Sequence, residues 1–172
     1  MNKILIIIDA QNDFITDALG SKEAKMARDN ICNFIYKYAE QYDKIILTRD
    51  THHENYLSTN EGCHLPVIHC IESSQGWQID SKIFSYLKEY DYECINKNTF
   101  GYLYWDSKFQ SQMTIDIMGF CTDICVISNA LILKTKFPEA NIRVFDKCCA
   151  GTSIKNHMAA LDVMKSCQIE VC

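Results

Sequence analysis

The run Lys3-Ile-Leu-Ile-Ile-Ile8 constrains the fold more than any other part of the chain. It has no polar alternation, so it reads as a strand buried on both faces, and such strands occur where helices cover a parallel sheet on two sides. Lys44 to Thr48 repeats the pattern. Between the two, Ala27, Ile31, Phe34, Ile35 and Tyr38 recur at helical spacing, which predicts a helix over Ala24 to Tyr42. The alternation continues with a helix near Ser81 to Tyr90 and strands at Tyr92 to Ile95 and Thr114 to Met118. A helix over Thr122 to Phe137 stops before Pro138, followed by a strand at Asn141 to Phe145 and a helix at Ser153 to Ser166. A short strand near Gln168 to Val171 closes the series. Parallel neighbours need right-handed crossovers, so the expected fold is α/β with three layers, α/β/α. Its sheet is mainly parallel, of about six strands, with helices on both faces.

The 172 residues suffice for one such domain, expected to span 1–172, and carry no linker, repeat or low-complexity run. A formal charge of −5 without any Lys/Arg tract offers no footprint for nucleic acid or an anionic membrane, which leaves small molecules as the expected partners. The opening apolar run is too short for a signal peptide and no stretch approaches membrane-spanning length, so a cytoplasmic protein is expected. In that setting the ten cysteines read as reduced thiols, and adjacent Cys148 and Cys149 as structural. No Cys-x-x-Cys pair occurs, which removes a thioredoxin-like or zinc-ribbon site.

Ligands of such sheets bind beyond the carboxyl ends of the strands. The first strand delivers Asp9-Ala-Gln-Asn-Asp-Phe14 there, with no Gly-rich phosphate loop. Asp9 fits two roles: a buried carboxylate that exchanges protons, or a turn or helix cap. The second strand delivers Thr48-Arg-Asp-Thr-His52, in which Asp50 and His52 share one face of an extended chain. Both can reach one divalent ion, with Glu61, His64 and His69 as further donors, although the pair alone more often belongs to an ordinary loop. Lys97 follows the third strand beside Phe100, Tyr102, Tyr104 and Trp105, which offer an aromatic wall. The fourth strand runs through Gly119 into Phe-Cys-Thr-Asp-Ile-Cys125. A thiol in a first helical turn meets unpaired N–H groups that favour thiolate, although a small apolar Cys in a helix more often fills a core.

Taken together, these strand ends resemble the isochorismatase-like cysteine hydrolases. The resemblance rests on Ile6 to Phe14, Thr48 to His52, Leu65-Pro-Val-Ile-His-Cys70, Lys97 and Gly119 to Val126, in that order along essentially the whole chain. It implies a Rossmann-like scaffold with Asp9 as proton carrier, Lys97 as its cationic partner and Cys125 as nucleophile. The backbone N–H groups of Cys121 and Cys125 would form an oxyanion hole, beside a cis peptide at Phe120–Cys121. The metal-binding branch of that family is the nicotinamidase/pyrazinamidase group. By resemblance to it, Asp50, His52, Glu61 and His69 would hold a divalent ion, zinc before manganese or iron, with His64 as an alternative ligand. Phe14, Phe100 and Tyr102 would contact the substrate.

The implied reaction is hydrolysis of a small carboxamide, nicotinamide to nicotinate and ammonia, through a thioester. Related branches act on other amides and on N-carbamoyl or ureido compounds; isochorismatases cleave a vinyl ether without this nucleophile. A thiol-rich binding or redox-responsive protein on the same scaffold is the non-enzymatic alternative, and a homo-oligomer is the ordinary state for soluble enzymes.

Overall fold

The apolar runs pair as their composition requires. In the computed structural model, which describes residues 2–107, 109 and 113–172, six parallel strands form one sheet in the order β3-β2-β1-β4-β5-β6. They are β1 (Asn2–Ile8), β2 (Lys44–Asp50), β3 (Tyr92–Lys97), β4 (Met113–Phe120), β5 (Asn141–Ala150) and β6 (Glu170–Val171). Ile6, Ile7 and Ile8 have no exposed surface, as a strand covered on both faces demands. The longer helices are α2 (Lys22–Tyr38), α4 (Ser81–Leu87), α5 (Ile127–Lys136) and α6 (Ile154–Ser166), with short α1 (Asn12–Ile15) and α3 (Asn60–His64) in the loops. From the centre the chain winds outward in both directions. Right-handed crossovers therefore put α2 and α4 on one face, α5 and α6 on the other, and open a crevice between the ends of β1 and β4. No described helix is long and apolar enough to cross a membrane.

Several boundaries differ from the sequence expectation, each for a local reason. The helix predicted to Tyr42 ends at Tyr38 and tightens into a 3₁₀ turn over Ala39–Gln41, after which Tyr42 is extended. Its hydroxyl is thereby bonded to Asp116, a fully buried carboxylate in mid-β4 that also accepts two 2.7 Å bonds from Arg143 on β5. The helix predicted to Tyr90 stops at Leu87, and β3 runs two residues further than expected, through Lys97. β5 continues to Ala150 across a register shift opposite Ile117–Gly119, which makes Cys148 and Cys149 strand residues. The helix predicted from Thr122 begins instead with a π turn, Thr122–Val126, before α5.

Gly119 on β4 stands opposite Ile8, the last residue of β1. Its φ is +128°, and a Cβ there would lie 2.0 Å from the Ile8 carbonyl oxygen. No L side chain fits without parting the two central strands. Gly119→Ala is therefore expected to lower the unfolding free energy by about 2–3 kcal/mol in chemical denaturation; an unchanged midpoint would contradict this account of the β1–β4 contact.

Candidate active site

Strand ends bring together the three groups that the sequence set far apart. Asp9 directly follows β1 with φ +46°, its N–H donating to the Thr48 carbonyl at 3.2 Å. The Thr48 hydroxyl donates to Asp9 Oδ1 at 2.6 Å, which aims the other oxygen, Oδ2, at Lys97. Lys97 Nζ lies 2.7 Å from that oxygen but off the direction of a hydrogen bond, so the contact is a Coulombic pair. The same ammonium is 3.3 Å from Asp50 Oδ1 and 3.5 Å from Cys125 Sγ. Asp9 is fully buried, and Lys97 and Cys125 are each 4% exposed.

Burial sets the proton affinities here. It raises the Asp9 pKa, and the nearby Lys97 charge only partly offsets it. Burial opposes the charge on Lys97, but Asp9, Cys125 and Asp50 outweigh it and hold the ammonium protonated above its ordinary range. Burial and the Asp9 charge push the Cys125 thiol well above its ordinary value, against the pull of Lys97. The expectation that a helix start alone favours thiolate is corrected: the first turn is a single π turn, and full desolvation dominates it. Beside the Asp50 carboxylate, which also faces the ammonium, the site holds one further negative charge, carried either by Asp9 with a neutral thiol or by the sulfur with a protonated Asp9. Both states have the same net charge, so a proton can move between the two acids without leaving a buried charge unpaired.

The second group lies beside the first. One ligand atom each from Asp50, His52, Glu61 and His69 falls within 4.8 Å of the others. His52 Nε2 is buried, 2.8 Å from Asp50 Oδ2, yet makes no hydrogen bond in that geometry. His69 Nε2 stands 3.7 Å from the same oxygen, while its Nδ1 is 2.8 Å from the Val67 carbonyl. With that carbonyl accepting an Nδ1–H, Nε2 presents a lone pair to the cluster. Two imidazole nitrogens and two carboxylates converging around an orphaned buried nitrogen fit a divalent cation. Glu61, 3.6 Å from His52 Nε2, has its pKa raised by burial and by Asp50, against the pull of His52, His69 and Lys97. His64, the alternative ligand, stands outside this group with its Nδ1 on the Asn60 carbonyl.

A cavity of about 880 Å³ opens over Cys125 and the four-donor group, and Phe14, Phe100 and Cys121 also line it. The Phe120–Cys121 peptide is cis, and the Cys121 carbonyl accepts the Ile124 and Val126 amides. Tyr102 is not in the cavity wall, contrary to the sequence expectation: its ring packs on Tyr104 and Trp105 at 5.7 and 5.0 Å.

Two positioning residues escaped the sequence reading. Gln11 holds Asp50 by its backbone, accepting its N–H at 2.7 Å and donating to its carbonyl at 2.9 Å. Asn129, fully buried on α5, donates to the Cys125 carbonyl at 2.8 Å and to the Phe100 carbonyl at 3.2 Å. It accepts from the Tyr102 amide at 2.9 Å and the Trp105 indole at 3.2 Å. A polar residue four positions after Cys125 on a buried helix face was the available signal for it. Asn129→Leu is expected to cost about 3–4 kcal/mol in urea unfolding, from four bonds at about 1 kcal/mol each. A loss under about 1 kcal/mol would show that the cysteine turn and the Phe100 loop are not joined through this side chain.

The sequence model described as "Isochorismatase domain" matches residues 3–172. No curated protein matches the chain. Solved structures share its fold at low identity. The nicotinamidase/pyrazinamidase PncA of Bacillus subtilis aligns with a TM-score of 0.83 at 22% identity over 100% of both chains. The pyrazinamidase of Pyrococcus horikoshii, solved in complex with zinc, gives 0.79 at 22% identity over 100% of this chain and 99% of that one. The yeast nicotinamidase Pnc1p, bound to the inhibitor nicotinaldehyde, gives 0.81 at 16% identity over 98% of each.

Proposed function

The chain belongs to the isochorismatase family, and from that premise we propose that it is a cysteine amidohydrolase of a small carboxamide, with nicotinamide, yielding nicotinate and ammonia, as the first substrate to test. One observation carries the reading: a single buried ammonium lies 2.7 Å from Asp9 and 3.5 Å from Cys125, in a site whose cavity also opens on a four-donor metal group. The names of the structural neighbours point the same way, as nicotinamidases and pyrazinamidases.

In this mechanism Asp9 takes the Cys125 proton, Lys97 balances whichever anion results, and the sulfur attacks the carboxamide carbon. The amides of Cys121 and Cys125 receive the developing oxyanion. Asp9 returns the proton to the nitrogen, the C–N bond breaks and ammonia leaves. A water molecule then gives a proton to Asp9 and its oxygen to the thioester, releasing the acid and restoring the thiol. Asp50, His52, Glu61 and His69 would hold the divalent ion, zinc before manganese or iron, and the bound ion would supply a Lewis-acid anchor for a ring nitrogen. Phe14 and Phe100 flank the bound ring.

Of the alternative small amides and N-carbamoyl or ureido compounds, those that carry a carboxylate would need a cationic partner for it, and no Lys or Arg is among the described residues lining the cavity. Neutral amides fit that wall better. Ammonia release from nicotinamide is expected to fall by about 10⁴-fold or more in Cys125→Ala. It should also be lost on chelation and regained with zinc. Undiminished release in Cys125→Ala would sink the nucleophile, and activity indifferent to chelation would sink the metal role.

A further inference from the structure

The segment between β2 and α4 carries three of the four metal donors, His52, Glu61 and His69, and has little regular structure of its own. Backbone of that kind keeps a ligand geometry only when something rigid fixes it. Its anchor is the stretch that leaves β1, an interior strand of the sheet. The Asn12 amide donates to the Gln78 carbonyl and the Asp13 amide to the Gly76 carbonyl, each at 3.0 Å. The Asn12 side chain adds a bond to the Gln75 carbonyl at 2.8 Å.

The Asp13 side chain reaches further into the segment. It is buried on α1, and its Oδ2 accepts the Cys70 amide at 2.7 Å. Gly76 leaves room for it, since a Cβ there would lie 2.0 Å from that oxygen. Cys70 is fully buried with φ +48°, a conformation that an L residue keeps only when its surroundings impose it. The planar peptide unit that contains the Cys70 N–H also contains the His69 carbonyl, so the bond to Asp13 fixes the plane from which His69 projects. On the other side, the Cys70 carbonyl accepts the His52 amide at 2.9 Å, and the His52 carbonyl accepts the Glu72 amide at 2.9 Å. One carboxylate thereby sets the backbone of both imidazole donors. Phe14, the next residue of α1, meets the His69 ring in a T-shaped contact with centroids 5.6 Å apart. Asp13 itself is outside the four-donor group and is not among the described residues lining the cavity.

We propose that Asp13 is a positioning residue of the metal group: through Cys70 it holds His52 and His69 in the arrangement that receives the divalent ion. The inference rests on the metal role assigned above to Asp50, His52, Glu61 and His69. Gln11, two residues earlier, fixes the Asp50 backbone, so three of the four donors are set by residues that closely follow β1. Groups that orient ligands without touching the ion change metal affinity by about 10–100-fold when removed.

The test measures the zinc affinity of the full chain by competition with a chromophoric chelator, with the folding of each variant checked by near-UV circular dichroism. Asp13→Ala, which removes the acceptor, is expected to bind zinc about 10–100-fold more weakly than the wild type. Asp13→Asn keeps an oxygen in reach of the Cys70 amide and should stay within about fivefold of the wild type. A purely structural Asp13 would lower the urea midpoint and leave the zinc affinity of the folded chain unchanged. A folded Asp13→Ala within about threefold of the wild type therefore overturns the proposal and leaves the metal group standing. Asp13→Asn as weak as Asp13→Ala also overturns it. If Asp13→Ala does not fold, the wild type decides: in the zinc-free chain the Cys70 amide should exchange at least about 100-fold more slowly than an unstructured amide, and faster exchange overturns the proposal. No binding of zinc, manganese or iron(II) by the wild type overturns both the metal role and the positioning.

Discussion

The Lys97 ammonium is the interaction on which the rest of the site depends. A buried charge of this kind is tolerated only when opposite charges surround it, and Lys97 has Asp9 at 2.7 Å and Asp50 at 3.3 Å. Those neighbours are fixed by strand register. β2 and β3 pair Asp50 with Lys97, and Asp9 directly follows β1, the next strand along. A slip of one residue would turn Asn96 inward and Lys97 out. The sheet register is therefore the device that sets the charge beside the cysteine.

Asp50 joins the two halves of the site. One of its oxygens faces Lys97, and the other faces His52 and His69. Gln11 grips its backbone on both sides, which fixes the Cα from which the carboxylate reaches both groups. A cation bound at the donor group and the ammonium beside the cysteine would share this carboxylate. Beneath the cavity, Asn129 similarly joins the Cys125 turn to the Phe100 loop.

Much of this was legible in the sequence because strand ends are predictable. Lys3 to Ile8 reads as a doubly covered strand, and the residues that follow such strands have to meet at one edge, which is why the sequence alone groups Asp9, Asp50, Lys97 and Cys125. What depends on depth rather than order was not legible. The Cys125 thiol looked activated by its helix start, but full desolvation raises its proton affinity, and only the packed neighbours reveal that. Tyr102 looked like part of an aromatic wall, yet its amide is claimed by Asn129 and its ring by Trp105. Gln11 and Asn129 carry no chemistry of their own; their role exists only once the backbone groups they bind are in place.

Under the proposed function, Cys125, with Asp9 and Lys97, carries the acyl group through a thioester. Acid quenching during steady-state turnover of nicotinamide, followed by peptide mass mapping, tests it most directly. A nicotinoyl adduct is expected on the peptide containing Cys125, located at that sulfur. Turnover with no adduct at any cysteine, or with the adduct on Cys121, would contradict it.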